Sequence, residues 1–74
     1  MIKELDTVVL TVDLPEHGLR QGDVGAVVLA HGKKGFEVEF TALDGETLTV
    51  VSLMREQVRP IGRREIAHAR AVSA

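Results

Sequence analysis

Asp13, Glu16 and His17 fall within five consecutive positions, and two carboxylates beside an imidazole are competent oxygen and nitrogen ligands for a divalent metal. A complete coordination shell needs more: a second cluster at matching spacing, or a histidine pair four residues apart on a helix. The sequence contains neither. A polar turn is the plainer account, with Asp13 capping backbone, Pro15 fixing φ, and Glu16 and His17 hydrated. No metal and no cofactor is expected. Nucleophilic catalysis fares no better, because it needs a Ser, Thr or Cys beside a base that a third group orients. Ser52 and Ser73 are the only serines, cysteine is absent, and the threonines fall at strand-like positions. No catalytic residue is assigned, and the chain is read as a non-enzyme. His31 reads as a surface histidine at a strand end, and His68 as a neighbour of Arg70 on a solvated segment.

Charge is the next chemical resource. Over the 74 residues the net charge is −2, but residues 1–59 carry six Lys/Arg against ten Asp/Glu, and residues 60–74 carry three Arg against one Glu. The body is acidic and the tail basic. Nucleic-acid binding needs phosphate-neutralising charge, and single-strand binding usually adds stacking aromatics. Lys33, Lys34, Arg55 and Arg59, with the tail arginines Arg63, Arg64 and Arg70, can supply a local patch. Phe36 and Phe40 are the only aromatics, and both are needed for the core. Solubility and lysine protection of strand edges explain the same charges more simply, so nucleic acid is the alternative reading. With no cysteine, no apolar leader and no run of about 18 apolar residues, the chain is expected to be cytoplasmic, without membrane contact.

These residues must be held by short extended elements. The first strand is expected over Leu5 to Val12, with Val8, Leu10 and Val12 on one face. Asp13 to Asp23 reads as a long connection in which pairing lapses. Strand two runs from Val24 to about His31, and Gly32-Lys33-Lys34-Gly35 reverses the chain. Strand three, Phe36 to Phe40, alternates cleanly, placing Phe36, Val38 and Phe40 inward and Glu37 and Glu39 in water. Asp44-Gly45 is a hairpin signal before strand four, Glu46 to Leu53. Met54 to Gln57 forms a single 3₁₀ turn before a last strand, Val58 to Pro60. The expected core is Val8, Leu10, Val12, Val27, Leu29, Phe36, Val38, Phe40, Leu48, Val50, Leu53 and Val58, with the register of strand two open by one residue. Residues 1–60 thus form one small all-β barrel of about five strands. Residues 61–74 form a basic tail, either a short helix over Arg63 to Val72 or a flexible segment, since ten residues are marginal as an isolated helix.

Ile2-Lys3-Glu4-Leu5-Asp6-Thr7-Val8-Val9-Leu10, Leu14-Pro15-Glu16-His17-Gly18-Leu19, Gly22-Asp23-Val24-Gly25, Phe36 to Phe40 and Asp44-Gly45-Glu46-Thr47 together resemble DUF4926, a small bacterial family of unknown function, over roughly residues 2 to 60. The resemblance implies an SH3-like barrel. Leu19 to Val28 is also similar to the KOW motif of some ribosome- and transcription-associated barrels. For function it implies little more than a partner role, antitoxin-like toward a neighbouring small protein in some members, and fold alone does not fix function.

Protein binding is therefore the expected role, because small barrels offer strand edges and loops to a partner. The expected surfaces are the Asp13 to Arg20 loop, with Asp13, Glu16, His17 and Arg20, the acidic row Glu37 and Glu39, and the tail arginines Arg63 and Arg64. An acidic face suits the basic cleft of a nuclease-like toxin encoded nearby. The tail, laid across the acidic body of a second copy, offers a route to a homo-oligomer.

Overall fold

A computed structural model describes residues 1–72; Ser73 lies outside them. Five strands follow in chain order: β1 (Thr7–Leu10), β2 (Val24–Ala30), β3 (Phe36–Thr41), β4 (Thr47–Leu53) and β5 (Val58–Pro60). They form one antiparallel sheet ordered β4-β3-β2-β1-β5. The all-β class and the small barrel-like architecture stand as the sequence implies, with one qualification in the geometry: β4 and β5 are not paired, so the sheet wraps its core without closing. Short 3₁₀ turns occupy Pro15–His17, Gly32–Lys34 and Arg55–Gln57.

The core is aliphatic with two aromatic plugs. Val8, Leu10, Val27, Phe36, Val38, Phe40, Leu53 and Val58 are buried as expected, and Leu14, Leu19 and Val51 join them. Val9, on the other face of the interior strand β1, is buried between Val24 and Arg59. Four expected core residues are instead exposed, each for a local reason. Val12 lies beyond the end of β1, where the chain bends and Thr11 donates to the carbonyls of Gln57 and Glu56. Leu29 falls after a register shift between Val27 and Leu29, so it pairs with Glu37 on the outer face. A bulge of this kind reverses the side-chain parity of whatever follows it. Leu48 is skipped between the pairs Phe40–Thr49 and Thr41–Thr47, and Val50 pairs with the outward Glu39. The inward positions of β4 are therefore Thr49, Val51 and Leu53, of which the last two are buried.

Two glycines allow this packing. At Gly25 an added Cβ would lie 2.6 Å from Val38 Cγ1 and 3.0 Å from the Glu39 carbonyl oxygen. Gly35 has φ of 121° and sits against the Leu53 carbonyl, where an added Cβ would collide with backbone. It lets the Gly32–Lys34 turn and β3 meet directly under the end of β4.

Strand pairing lapses through the Asp13–Asp23 connection as expected, apart from one isolated antiparallel bridge. Leu14 and Leu19 exchange backbone hydrogen bonds of 2.9 and 3.1 Å and bury both side chains. Gly18, at φ 70°, turns the chain between them. The loop is thus pinned to the core by two leucines and presents its polar residues outward.

Candidate functional site

The pinned loop forms one side of a cleft of about 780 Å³. Asp13, Pro15, His17, Gly18 and Arg20 line it, with Leu19 as an apolar floor. Opposite them stand Glu46, Thr47 and Leu48, where the chain enters β4. The tail supplies a third wall through Arg70, Ala71 and Val72. The backbone around the cleft is held by carboxylates: Asp13 Oδ1 accepts from the Gln21 N–H at 2.8 Å, and Asp23 Oδ2 accepts from the Arg20 N–H at 2.8 Å.

Arg70 is what brings the tail there. Its Nε donates to Asp23 Oδ1 at 2.9 Å, and its Nη2 donates to Asp23 Oδ2 at 2.6 Å and to the Gly18 carbonyl at 2.9 Å. This two-pronged geometry matches the fork of a guanidinium to the two oxygens of a carboxylate. The Arg70 guanidinium beside Asp23 holds that carboxyl below its usual value, and Asp23 in turn raises Arg70. Upstream, Arg59 makes a similar pair with Glu65 at 2.8 and 2.7 Å, and the Gly62 N–H donates to the same carboxylate at 2.5 Å. Arg59 first, then the Gly62 amide, lowers the Glu65 carboxyl to about 2. Of the two forms open to the tail, no helix forms over residues 63–72. Ten residues with a thin apolar stripe gain little as a helix, and the two arginine–carboxylate pairs fix a different course.

The expected partner-binding residues divide among four places. Asp13, His17 and Arg20 converge on the cleft, whereas Glu16 is exposed outside its lining. Glu37 and Glu39 stand on the outer face of β3 and are only half exposed. Their carboxylates are occupied: Ser52 Oγ donates to Glu37 at 2.6 Å, the His31 ring lies 3.0 Å from the same oxygen, and Thr47 donates to Glu39. Their outward orientation is as expected, and these side-chain hydrogen bonds take up part of the acidic face. Arg63 and Arg64 are exposed at a turn in the tail, away from the cleft. The residues missed by sequence reasoning are Glu46, Thr47 and Leu48, and Arg70, named from sequence only for a basic patch, also lines the cleft; these come from two segments distant from the loop. An arginine in a tail and a carboxylate in a Gly-Asp turn carry no local signal that they will pair.

Ser52, Glu37 and His31 bring a hydroxyl, a carboxylate and an imidazole together, but in an order unsuited to nucleophilic attack. The carboxylate lies between the other two, so the imidazole does not face the hydroxyl. The hydrogen bonds from Ser52, chiefly, and His31 pull Glu37 below its ordinary value and make it a weaker base. Among the described residues no group of three or more His, Cys, Asp or Glu is placed to hold a metal ion. Among the basic residues of the alternative reading, Lys33 and Lys34 share the Gly32–Lys34 turn with Arg55, whose Nη1 donates to the Gly32 carbonyl at 3.4 Å. Arg59 is paired with Glu65 instead.

Comparison with known families gives a match over residues 4–60 to a domain of unknown function, DUF4926. The chain belongs to the DUF4926 family. The match takes in the whole sheet and the pinned loop, and stops before the tail wall of the cleft. No curated protein and no solved structure matches the chain. No helix among the described residues is long and apolar enough to cross a membrane.

Proposed function

We propose that this DUF4926 chain is a non-catalytic protein-interaction module that receives an extended segment of another protein in the cleft between the loop, the start of β4 and the tail. The observation that carries this reading is the make-up of the cleft: apolar Leu19, side chains of both charges, and residues from the loop, the start of β4 and the tail. Its volume falls within the roughly 300–1,000 Å³ of typical binding clefts. An extended chain satisfies such a site, its alternate side chains meeting the apolar floor and the charged walls. An antitoxin-like role beside a neighbouring small protein is one form of this function, and the cysteine-free composition suits a reducing cytoplasm.

The test is a pulldown from the source cell with and without nuclease, repeated with Asp13→Arg and Arg20→Glu. Recovery of one protein that survives nuclease and drops at least tenfold in both variants is the expected result. Recovery abolished by nuclease, and sensitive to Lys33→Glu, Lys34→Glu and Arg55→Glu, would transfer the function to nucleic acid. Binding that depends instead on Glu37 and Glu39 would move the docking surface to the outer face of β3.

A further inference from the structure

Among the described residues, one edge of β4 has no strand partner. Thr47–Leu53 pairs with β3 along one edge, and its other backbone groups make no further backbone hydrogen bond among the described residues. Proteins usually blunt such edges with a charge, a proline or a very short strand. β5, at the opposite edge, is three residues long and ends in Pro60. β4 is seven residues long, reads Thr-Leu-Thr-Val-Val-Ser-Leu, and holds neither charge nor proline. Its one irregularity is at Leu48, which leaves Thr49 to Leu53 regular.

We propose that two copies of this chain join edge to edge through β4, antiparallel about Val50, into one continuous sheet. The sequence of the strand is suited to itself. Residues directly opposite each other in an antiparallel pair share a face, so a twofold axis at Val50 sets Val50 against the second copy's Val50 and Leu48 against its Ser52. Val50 is 51% exposed and Leu48 42%, and both gain apolar cover. Inward residues stay inward in both copies, as a twofold axis through a residue pair requires. The ends decide the direction. Glu46 precedes β4, and Met54 and Arg55 follow it. Antiparallel pairing brings each acidic end to the other copy's Arg55, whereas parallel pairing sets like charges side by side. About six to eight main-chain hydrogen bonds form across a pair of strands this long. Because Glu46 also lines the cleft, the second copy's Met54 and Arg55 then stand at its rim. The proposal rests on β4 alone and does not depend on the partner-binding reading.

The experiment is sedimentation of the full chain across a concentration series. The expected result is a doubling of the 8.0 kDa chain mass as concentration rises. Val50→Lys and Val50→Glu, on an outward and half-exposed site, each return the mass to one chain, and mixing the two variants restores the doubled mass. Because the chain has no cysteine, Val50→Cys gives a covalent dimer on mild oxidation while Leu43→Cys does not, a readout that holds even where a charged variant fails to fold. A native chain that stays at single mass throughout the series overturns the proposal. So does a dimer that survives Val50→Lys, or one abolished by Arg63→Glu with Arg64→Glu, which would place the contact in the tail.

Discussion

Replacing Gly35 with alanine tests how tightly the start of β3 is set under the end of β4. Two costs add at this position. The φ of 121° is a conformation that residues with a side chain rarely adopt, and holding one there costs about 1–3 kcal/mol. The new methyl group would also strike the Leu53 carbonyl and come within 3.2 Å of the Met54 Cα, an overpacking worth about 1–3 kcal/mol more. The obstacle is backbone, so no rotamer change relieves it, and β4 cannot retreat without weakening the Phe36–Leu53 pair. The sum, about 2–6 kcal/mol, is a large share of the roughly 4–11 kcal/mol that stabilises a domain of this length. At about 4–8 °C per kcal/mol, the midpoint of about 4 kcal/mol lowers the melting temperature by roughly 15–30 °C. Gly45→Ala supplies the control: its φ of 96° is also positive, but nothing lies within 4 Å. It should lose only the conformational part, roughly 5–15 °C for about 1–2 kcal/mol. Thermal unfolding followed by circular dichroism compares the two. Equal losses in both variants would show that the contact with Leu53 carries no energy, and that the reasoning from close approach is mistaken.

Other consequences follow from the tail and the cleft. Asp23→Asn removes the carboxylate that grips Arg70, so trypsin should cleave after Arg70 several-fold faster while the barrel stays intact; an unchanged digestion rate would show that this pair does not retain the tail. Glu65 is held at about 2 by Arg59 and the Gly62 amide. A depressed folded-state value means that its contribution is full above the usual carboxylate range and is lost as pH falls from about 4.5 toward 2. An NMR titration of the Glu65 carboxyl should therefore have its midpoint near 2, and a midpoint near 4.5 would contradict the pair with Arg59. Ser52→Ala takes away the first donor to Glu37, so the Glu37 titration should move upward toward its ordinary value, and no movement would assign its shift to His31.

Much of the architecture was legible because it depends on local rules. The alternation Phe36-Glu37-Val38-Glu39-Phe40 fixes β3 and its inward face, Asp44-Gly45 marks the hairpin, and Pro60 marks an edge. Core membership failed wherever parity is set by a neighbour. Nothing in Val24 to His31 announces that the register shifts after Val27, and nothing in Leu48-Thr49-Val50-Val51 says which pair of apolar residues faces in. Leu14 and Leu19 were readable in principle, as two leucines flanking a Pro-Glu-His-Gly turn, but a polar loop masks them. The site was legible only on the loop, through Asp13, His17 and Arg20. Its remaining walls depend on where β4 begins relative to that loop and on an ion pair that links positions 23 and 70, relations that no local pattern contains.

The family match ends at residue 60, yet Arg70 carries a wall of the cleft back onto the loop. The scaffold and part of its lining thus come from separable stretches of chain. Under the proposed binding role, exchanging the appended stretch while every core contact is kept would change what the cleft accepts, much as a tool keeps its handle and changes its jaw. A chimera carrying a foreign extension behind Pro60, with an arginine retained to reach Asp23, would inherit the same sheet and core and a different third wall.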